Sequence, residues 1–250
     1  MITEITRATR LRSAVPQRKG ESAVNGIDLF SGIVIVLSDL ILAAAVIYGV
    51  ASFFLKKSPL YFRILTLATV CYAGTSVFRL LYRLCYREDF PGMGITLLGV
   101  FGCYLFLFSA NYGQYDSLID DRSPRFRKYR VFALAAPLAV LSLLLVYTVG
   151  NAGHTTAVRN VMTGIGFLPA VAASYYNFKH FIIPDMGFHF VRWVRRANLC
   201  ALVIEVADIV RVLLFATVGA WAGALAALVV SACFFAMLVL AGKGRQSWLQ

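Results

Sequence analysis

The chain has few charged side chains. Only 14% of its 250 residues are Asp, Glu, Lys or Arg, while 60% are hydrophobic, and the mean hydropathy is +0.74. About a quarter of the residues in an ordinary soluble domain are charged. The shortage of charge therefore excludes a disordered protein and most soluble enzymes, and it indicates an integral membrane protein.

Motifs for metals, cofactors and catalysis are also missing. The five cysteines form neither a CxxC motif nor a cluster with histidine, so neither a zinc site nor a disulfide framework is indicated. The sequence contains no HExxH motif, phosphate loop or nucleophile elbow. No lysine lies within the last apolar run, which gives no support to a retinal Schiff base. We therefore expect a non-enzymatic protein without a metal or cofactor.

Acidic residues are scarce relative to basic ones. The 12 Asp and Glu residues against 24 Lys and Arg residues give a net charge of +12. In a membrane protein, basic residues mark cytoplasmic loops and contact anionic lipid, so we do not expect nucleic-acid binding. Residues 1–28 form a polar, basic tail, which is unlike a cleavable signal peptide because no apolar run follows a short basic start.

Long apolar runs dominate the rest of the chain. A helix needs about 20 apolar residues to cross the hydrocarbon core, and continuous runs are unlike the short alternating segments of an outer-membrane barrel. We predict an all-α bundle of seven transmembrane helices in residues 29–242, followed by a short cytoplasmic tail at 243–250. The predicted spans are about 29–55, 60–83, 92–114, 131–150, 157–182, 192–216 and 218–242.

The charge of the loops predicts the orientation. The first, third and fifth loops, with the adjoining span ends, and the carboxy-terminal tail hold half of the 24 Lys and Arg residues. The positive-inside rule then places the carboxy terminus in the cytoplasm and the amino terminus outside, although the basic amino-terminal tail favours the reverse. We expect a multi-pass protein of the cell (inner or plasma) membrane. The residues expected to contact anionic lipid or a cytoplasmic protein are Arg122, Arg125, Arg127, Lys128, Arg130, Arg192, Arg195 and Arg196.

Ionisable side chains within the apolar runs form the candidate site. A charge in hydrocarbon costs several kcal/mol, so each one needs a partner or a water-filled cavity. One interpretation is an outward-facing pocket for a small charged or zwitterionic ligand. The other is a structural lock of ion pairs, such as Asp208 with Arg79 and Glu205 with Arg211. The candidate ligand-binding residues are Asp39, Tyr72, Ser76, Arg79, Glu205, Asp208 and Arg211.

A second polar group lies at the predicted cytoplasmic ends of the third and fifth spans. Its tyrosines are typical of a belt at the membrane interface, and an inner gate or a coupling surface is the alternative. The group comprises Asn111, Tyr112, Gln114, Tyr115, Asp116, Tyr175, Tyr176, Asn177, Lys179 and His180.

Proline and glycine predict local features of the helices. Pro137 and Pro169 each remove a backbone hydrogen bond, so kinks are expected, with a break most expected in the fifth span. Gly219 and Gly223 form a GxxxG motif, which permits close packing within the bundle or in a homo-oligomer.

The sequence carries a faint internal duplication. Arg63 and Arg195 align when Arg79 is set against Arg211, because both pairs are sixteen residues apart. The first three spans would then correspond to the last three, with the fourth as a connector. Repeats of this kind occur in transporters.

The order of features resembles the seven-transmembrane sensor regions of bacterial histidine kinases and diguanylate cyclases. The features are an outside amino terminus, a third span that ends in aromatics (Phe106, Phe108, Tyr112 and Tyr115), a basic loop and a proline-bearing fourth span that ends at Asn151. We expect no output domain, so the resemblance implies signalling to a separate cytoplasmic partner. We therefore expect a sensor, with a small-solute carrier and a structural subunit as alternatives.

Overall fold

The protein is helical throughout the part of the chain that its computed structural model describes. Those residues are 20–55, 58–86, 94–112, 116–117, 120, 123–150, 156–184 and 189–248, and no strand occurs among them. This confirms the all-α prediction. The helices are α1 (Gly20–Gly49, extended by a π-helical turn at Val50–Phe54), α2 (Leu60–Tyr86), α3 (Gly94–Asn111), α4 (Arg127–Ala133, after a 3₁₀ turn at Pro124–Phe126), α5 (Ala135–Gly150), α6 (Ala157–Ile182), α7 (His189–Thr217) and α8 (Ala220–Trp248).

Several helices are long and apolar enough to span a membrane. By length and composition, four stretches of the described residues qualify, fewer than the seven spans predicted from the sequence. α6 and α7 are also long, but both carry ionisable side chains along their length, and α3 is a shorter apolar helix. The four stretches are Leu29–Phe54, Leu60–Tyr82, Pro124–Gly150 and Ala220–Gln246.

Apolar side chains cover the outside of the bundle. Ile47, Leu98 and Val149 are 69%, 70% and 75% exposed. The buried residues, in contrast, include many polar side chains and four ionisable ones on α6 and α7, namely Lys179, His180, Glu205 and Asp208. A large exposed apolar surface around a partly polar interior is what contact with lipid favours.

The helices close into a ring. α1 packs against α2, α2 against α3, α3 against α6, α6 against α7, α7 against α8 and α8 against α1, while α5 lies against α6 and α7. Glycine allows α3 to approach its neighbours closely. A Cβ at Gly99 would lie 2.9 Å from the Cys71 carbonyl oxygen on α2, and one at Gly166 on α6 would collide with Leu97.

Two local predictions need correction. Gly219 lies outside α8, in the turn that ends α7, with a φ of 124°, and its N–H donates to the Leu214 carbonyl. Its role is to end a helix, so the GxxxG pair is not one helix face. α6 runs through Pro169 without the expected break, whereas the chain is interrupted between α4 and α5, one turn before Pro137.

The segments predicted to form the first, third and fifth loops and the tail meet at one end of the bundle. Arg245 near the end of α8 donates to the Ser58 hydroxyl before α2 over 3.2 Å. Phe126, Ile183 and Val194 form a small buried cluster beside the starts of α4 and α7. We call this the basic end, because its exposed side chains include Arg125, Arg127, Lys128, Arg192, Arg196 and Lys243.

The helices begin and end somewhat differently from the predicted tails. α1 begins at Gly20, inside the segment predicted as an amino-terminal tail, and residues 1–19 lie outside the described part of the chain. α8 continues past residue 242 to Trp248.

Candidate functional site

Two carboxylates on α7 organise the polar interior. Glu205 and Asp208 are three residues apart on the helix, and both are completely buried. Their side chains reach different neighbours, although positions three residues apart share one face of a helix. Asp208 contacts α2 and α3, and Glu205 contacts α6.

Asp208 is the centre of a hydrogen-bonded cluster. Its Oδ1 accepts hydrogen bonds from the Tyr72 hydroxyl and from Arg211 Nε, each over 2.7 Å, and its Oδ2 accepts one of 2.9 Å from the Tyr104 hydroxyl. We call these four residues the Asp208 cluster. Charge-assisted hydrogen bonds from three donors compensate for the burial of the carboxylate.

Three further candidate residues adjoin this cluster. Arg79 lies within electrostatic range of Asp39, Tyr72, Asp208 and Arg211. Asp39 on α1 is half-buried, accepts a hydrogen bond from Ser76 and lies within range of Arg79. The structure therefore brings together six of the seven residues predicted as a ligand site, and only Glu205 turns to another partner.

The pairing within the site differs from the one suggested for a structural lock. Asp208 pairs with Arg211 on its own helix, and Glu205 bonds to an amide rather than to an arginine. Two arginines and two aspartates balance one another around the cluster. Sequence analysis missed Tyr104, because one tyrosine in an apolar helix carries no signal until its neighbours in space are known.

Glu205 begins a chain of hydrogen bonds that runs toward the basic end. Asn177 Nδ2 on α6 donates to Glu205 Oε1, and Asn111 Nδ2 on α3 donates to Asn177 Oδ1, both over 2.7 Å. Asn111 Oδ1 lies 3.0 Å from His180 Nδ1. We call Glu205, Asn177, Asn111 and His180 the amide chain. All four are completely buried.

The amide chain continues into an ion-pair network at the basic end. His180 Nε2 lies 2.9 Å from Asp116 Oδ1, and Asp116 also pairs with Lys179. Lys179 Nζ lies 3.4 Å from Asp120 Oδ2, and Arg130 Nη1 forms an ion pair of 2.8 Å with Asp120 Oδ1. An unbroken series of polar contacts thus joins the middle of α7 to the start of α4.

Asp116 lies beyond the end of α3 and is only partly buried. Burial opposes ionisation, but hydrogen bonds from His180 and Lys179 outweigh it and hold the pKa of Asp116 below its ordinary value. Asp116 is therefore ionised near neutral pH and available as a counter-ion for the two basic side chains.

The interpretation of the second polar group as an interfacial belt does not hold for its amides and basic residues. Asn111, Asn177, Lys179 and His180 are buried and bonded to one another or to acids. Tyr112, by contrast, is 58% exposed. Tyr175 and Tyr176 lie over Lys179, 5.6 and 5.1 Å from its ammonium group, and Gln114 and Tyr115 lie outside the described residues.

The residues predicted to contact lipid or a partner divide into two groups. Arg130 and Arg195 are partly buried and donate within the protein, to Asp120 and to the Phe181 carbonyl. Trp193 lies between Arg196 and Lys243, each 5.1 Å from its ring. Arg122 lies outside the described residues. The exposed remainder, Arg125, Arg127, Lys128, Arg192 and Arg196, leaves the surface of the basic end positively charged.

The fold and the polar interior define an all-α protein with several helices able to span a membrane and a buried, ion-paired centre. Comparison of the chain with protein-family models, curated proteins and solved structures finds no match. The assignment of function therefore depends on the physical character of the site.

Proposed function

We propose that the protein is a seven-helix membrane sensor that binds a small ligand near the Asp208 cluster and signals through the basic end to a separate cytoplasmic protein. The observation that carries the proposal is the unbroken series of polar contacts from Glu205 to Arg130. Such a series offers a physical connection between the interior and a charged surface.

The charge of the site suggests the chemistry of the ligand. Asp39 and Asp208 offset Arg79 and Arg211, so a ligand with one charge would leave the site unbalanced. A zwitterion carries both charges and can exchange partners with the existing ion pairs. We therefore favour a small zwitterion, such as an amino acid or a related compound, over a simple anion or cation.

The proposal includes a membrane topology. In the proposed arrangement the seven membrane crossings are α1, α2, α3, α4 with α5, α6, α7 and α8. Because basic residues favour the cytoplasm, the basic end faces inward and the amino terminus faces outward. The membrane is the cell membrane, and anionic lipids contact the exposed arginines and lysines.

A sensor must change at the basic end when ligand binds inside. The test places an environment-sensitive fluorophore on Arg127→Cys in an otherwise cysteine-free protein in lipid nanodiscs. A panel of zwitterionic compounds is first screened for those that raise the melting temperature. We expect such a compound to change the fluorescence at position 127.

Variants separate binding from transmission. Asn177→Leu is expected to abolish the fluorescence response while keeping the thermal stabilisation, and Asp208→Asn is expected to abolish both. Ser174→Ala is the matched control, because Ser174 is buried one turn earlier on α6 and bonds only to its own helix in the contacts described. A stabilising compound that leaves the fluorescence unchanged would contradict the sensor.

A small-solute carrier is the second candidate, and the arrangement of helices favours it. Suppose that α1, α2 and α3 are exchanged for α6, α7 and α8. The contacts of α1 with α2 and of α2 with α3 then become those of α6 with α7 and of α7 with α8. The contact of α1 with α8 becomes that of α6 with α3. This symmetry agrees with the duplication suggested by Arg63 and Arg195. A carrier predicts solute flux in proteoliposomes that Asp208→Asn abolishes, whereas a sensor predicts no flux.

A further inference from the structure

The hydrogen bonds of the amide chain all point in one direction. Asn111 Nδ2 donates both of its hydrogens, one to Asn177 Oδ1 and one to the Leu107 carbonyl. The atom of Asn111 that faces His180 is therefore Oδ1, which can only accept a hydrogen bond. His180 Nδ1 must then carry a hydrogen and donate it. The donors therefore run from His180 through both amides to Glu205 Oε1, which accepts the last bond.

Glu205 itself is incompletely bonded. Its Oε1 accepts from Asn177, but its Oε2 is buried without a hydrogen-bond partner among the residues that the structure describes. A carboxylate in this position loses water on one oxygen and gains no replacement, which favours the addition of a proton. A protonated carboxyl group is a donor as well as an acceptor, and it could then donate to the oxygen of the Asn177 amide.

We propose that Glu205 is a proton-binding site whose occupancy is coupled to the protonation of His180 through reversal of the two amides between them. With Glu205 ionised, the donors point toward it, as in the structure. With Glu205 protonated at Oε1, Asn177 and Asn111 rotate about their side-chain bonds. Glu205 then donates to Asn177 Oδ1, Asn177 Nδ2 to Asn111 Oδ1, and Asn111 Nδ2 to the free electron pair of His180 Nδ1.

The protons balance in this exchange. Glu205 takes one proton from hydronium and forms one O–H bond, while His180 gives its Nδ1 proton to water and keeps the proton on Nε2, next to Asp116. The amides only rotate, and none of their covalent bonds breaks. By linkage, protonation at one end lowers proton affinity at the other by the same factor. The coupling does not depend on the proposed role as a sensor.

Few other titratable groups face Glu205. The thiol of Cys103 on α3 lies within electrostatic range, and α7 itself contributes Asp208 with its partner Arg211. The titratable side chains on the apolar parts of α5 and α8 are Tyr147 and Cys233. On α6, Asn177 bonds directly to Glu205. The other titratable group of the amide chain is His180, which is flanked by Lys179 and Asp116.

The titration of His180 tests the coupling. Protein labelled with ¹⁵N-histidine in nanodiscs is titrated by NMR, and the His180 signals are identified by their absence from His180→Gln. We expect Glu205→Gln to move the His180 midpoint by about threefold or more in proton concentration, that is, about half a pH unit. Adding Glu205→Gln to Ser174→Ala should produce the same shift, because the Ser174 hydroxyl bonds to the Val171 carbonyl and lies outside the amide chain.

Interrupting the chain should remove the effect. Asn177→Leu keeps the size of the side chain but cannot transmit a hydrogen bond, so adding Glu205→Gln to it should leave the His180 midpoint unchanged. An equal shift in both backgrounds would mean that the two groups interact only through space and would overturn the coupling. An unchanged midpoint on Glu205→Gln in the wild-type background would also overturn it.

Infrared spectroscopy tests the proton site at Glu205 without a variant that interrupts the amide chain. The wild-type spectrum should contain a carboxylic C=O band whose intensity changes with pH. Glu205→Gln should lack that band, and Ser174→Ala, which leaves Glu205, its chain and the Asp208 cluster in place, should keep it. If no titrating band is lost on Glu205→Gln, the proton site is overturned even if Asn177→Leu fails to fold.

Discussion

The Tyr104 hydroxyl on α3 donates a hydrogen bond of 2.9 Å to the Asp208 carboxylate on α7. Since α6 stands between these helices in the ring, this bond crosses the interior of the bundle. The Tyr72 hydroxyl reaches the same carboxylate from α2. Asp208 therefore ties three helices together, and a ligand that exchanges partners with it would change the contacts of all three.

Removing one of these hydroxyls should weaken the fold. Tyr72→Phe and Tyr104→Phe each leave the buried carboxylate short of one donor, which costs about 1–3 kcal/mol. We expect both variants to melt at a lower temperature than wild type in detergent. Tyr112→Phe, whose ring is 58% exposed, is the control and should melt close to wild type. A loss as large in the control as in the two buried variants would contradict this role.

The close approach of α3 to α2 gives a second prediction. Gly99→Ala places a Cβ 2.9 Å from the Cys71 carbonyl oxygen, so the helices must separate and the melting temperature should fall, by about 1–3 kcal/mol in stability. Gly74→Ala is the matched helical control, because a Cβ there meets nothing within 4 Å. The control should be neutral or slightly stabilising, since alanine favours helix more than glycine does. Equal effects of the two substitutions would be inconsistent with the packing described.

The ion pairs of Asp116 predict how stability changes in acid. Because the folded pKa of Asp116 lies below the ordinary value for an aspartate, the ionised carboxylate stabilises the fold at pH above that ordinary value. This contribution is lost as the pH falls from about 3.8 through the folded pKa. Asp116→Asn should therefore melt below wild type at pH 7, and the difference should shrink on acidification. Melting curves of both proteins across this range check it, and a difference that widens in acid would refute it.

The shared basic end predicts which positions label from the same side of the membrane. Single cysteines at Arg127 and Lys243 should react from the cytoplasmic side in spheroplasts and inverted vesicles. The native Cys85, at the opposite end of α2 from the basic end, should react from the outside when it is the only cysteine present. Labelling of positions 127 and 243 from opposite sides would contradict the fold, and labelling of both from outside would reverse the proposed orientation.

Much of the helical framework follows from the sequence, because long apolar runs leave little choice of secondary structure in a membrane. The convergence of Asp39, Tyr72, Arg79 and Asp208 was also predictable. Each is a polar group in an apolar run, and such groups need partners inside the bundle.

The partners themselves could not be predicted from one sequence. The sequence suggests a pair of Asp208 with Arg79, but in the structure Asp208 Oδ1 accepts hydrogen bonds from Arg211 and Tyr72. Asn111 and Asn177 lie 66 residues apart in the chain, and their contact arises from the packing of α3 against α6. Proximity of this kind depends on helix order and rotation, which hydropathy does not encode.

The most direct test of the account is a cryo-electron microscopy map of the protein in lipid nanodiscs that resolves side chains around the middle of α7. We expect the hydroxyls of Tyr72 and Tyr104 to lie at hydrogen-bond distance from the Asp208 carboxylate, and the Asn177 amide to lie at hydrogen-bond distance from Glu205. Density that places Asp208 or Glu205 against lipid, or Asn177 away from α7, would contradict the account.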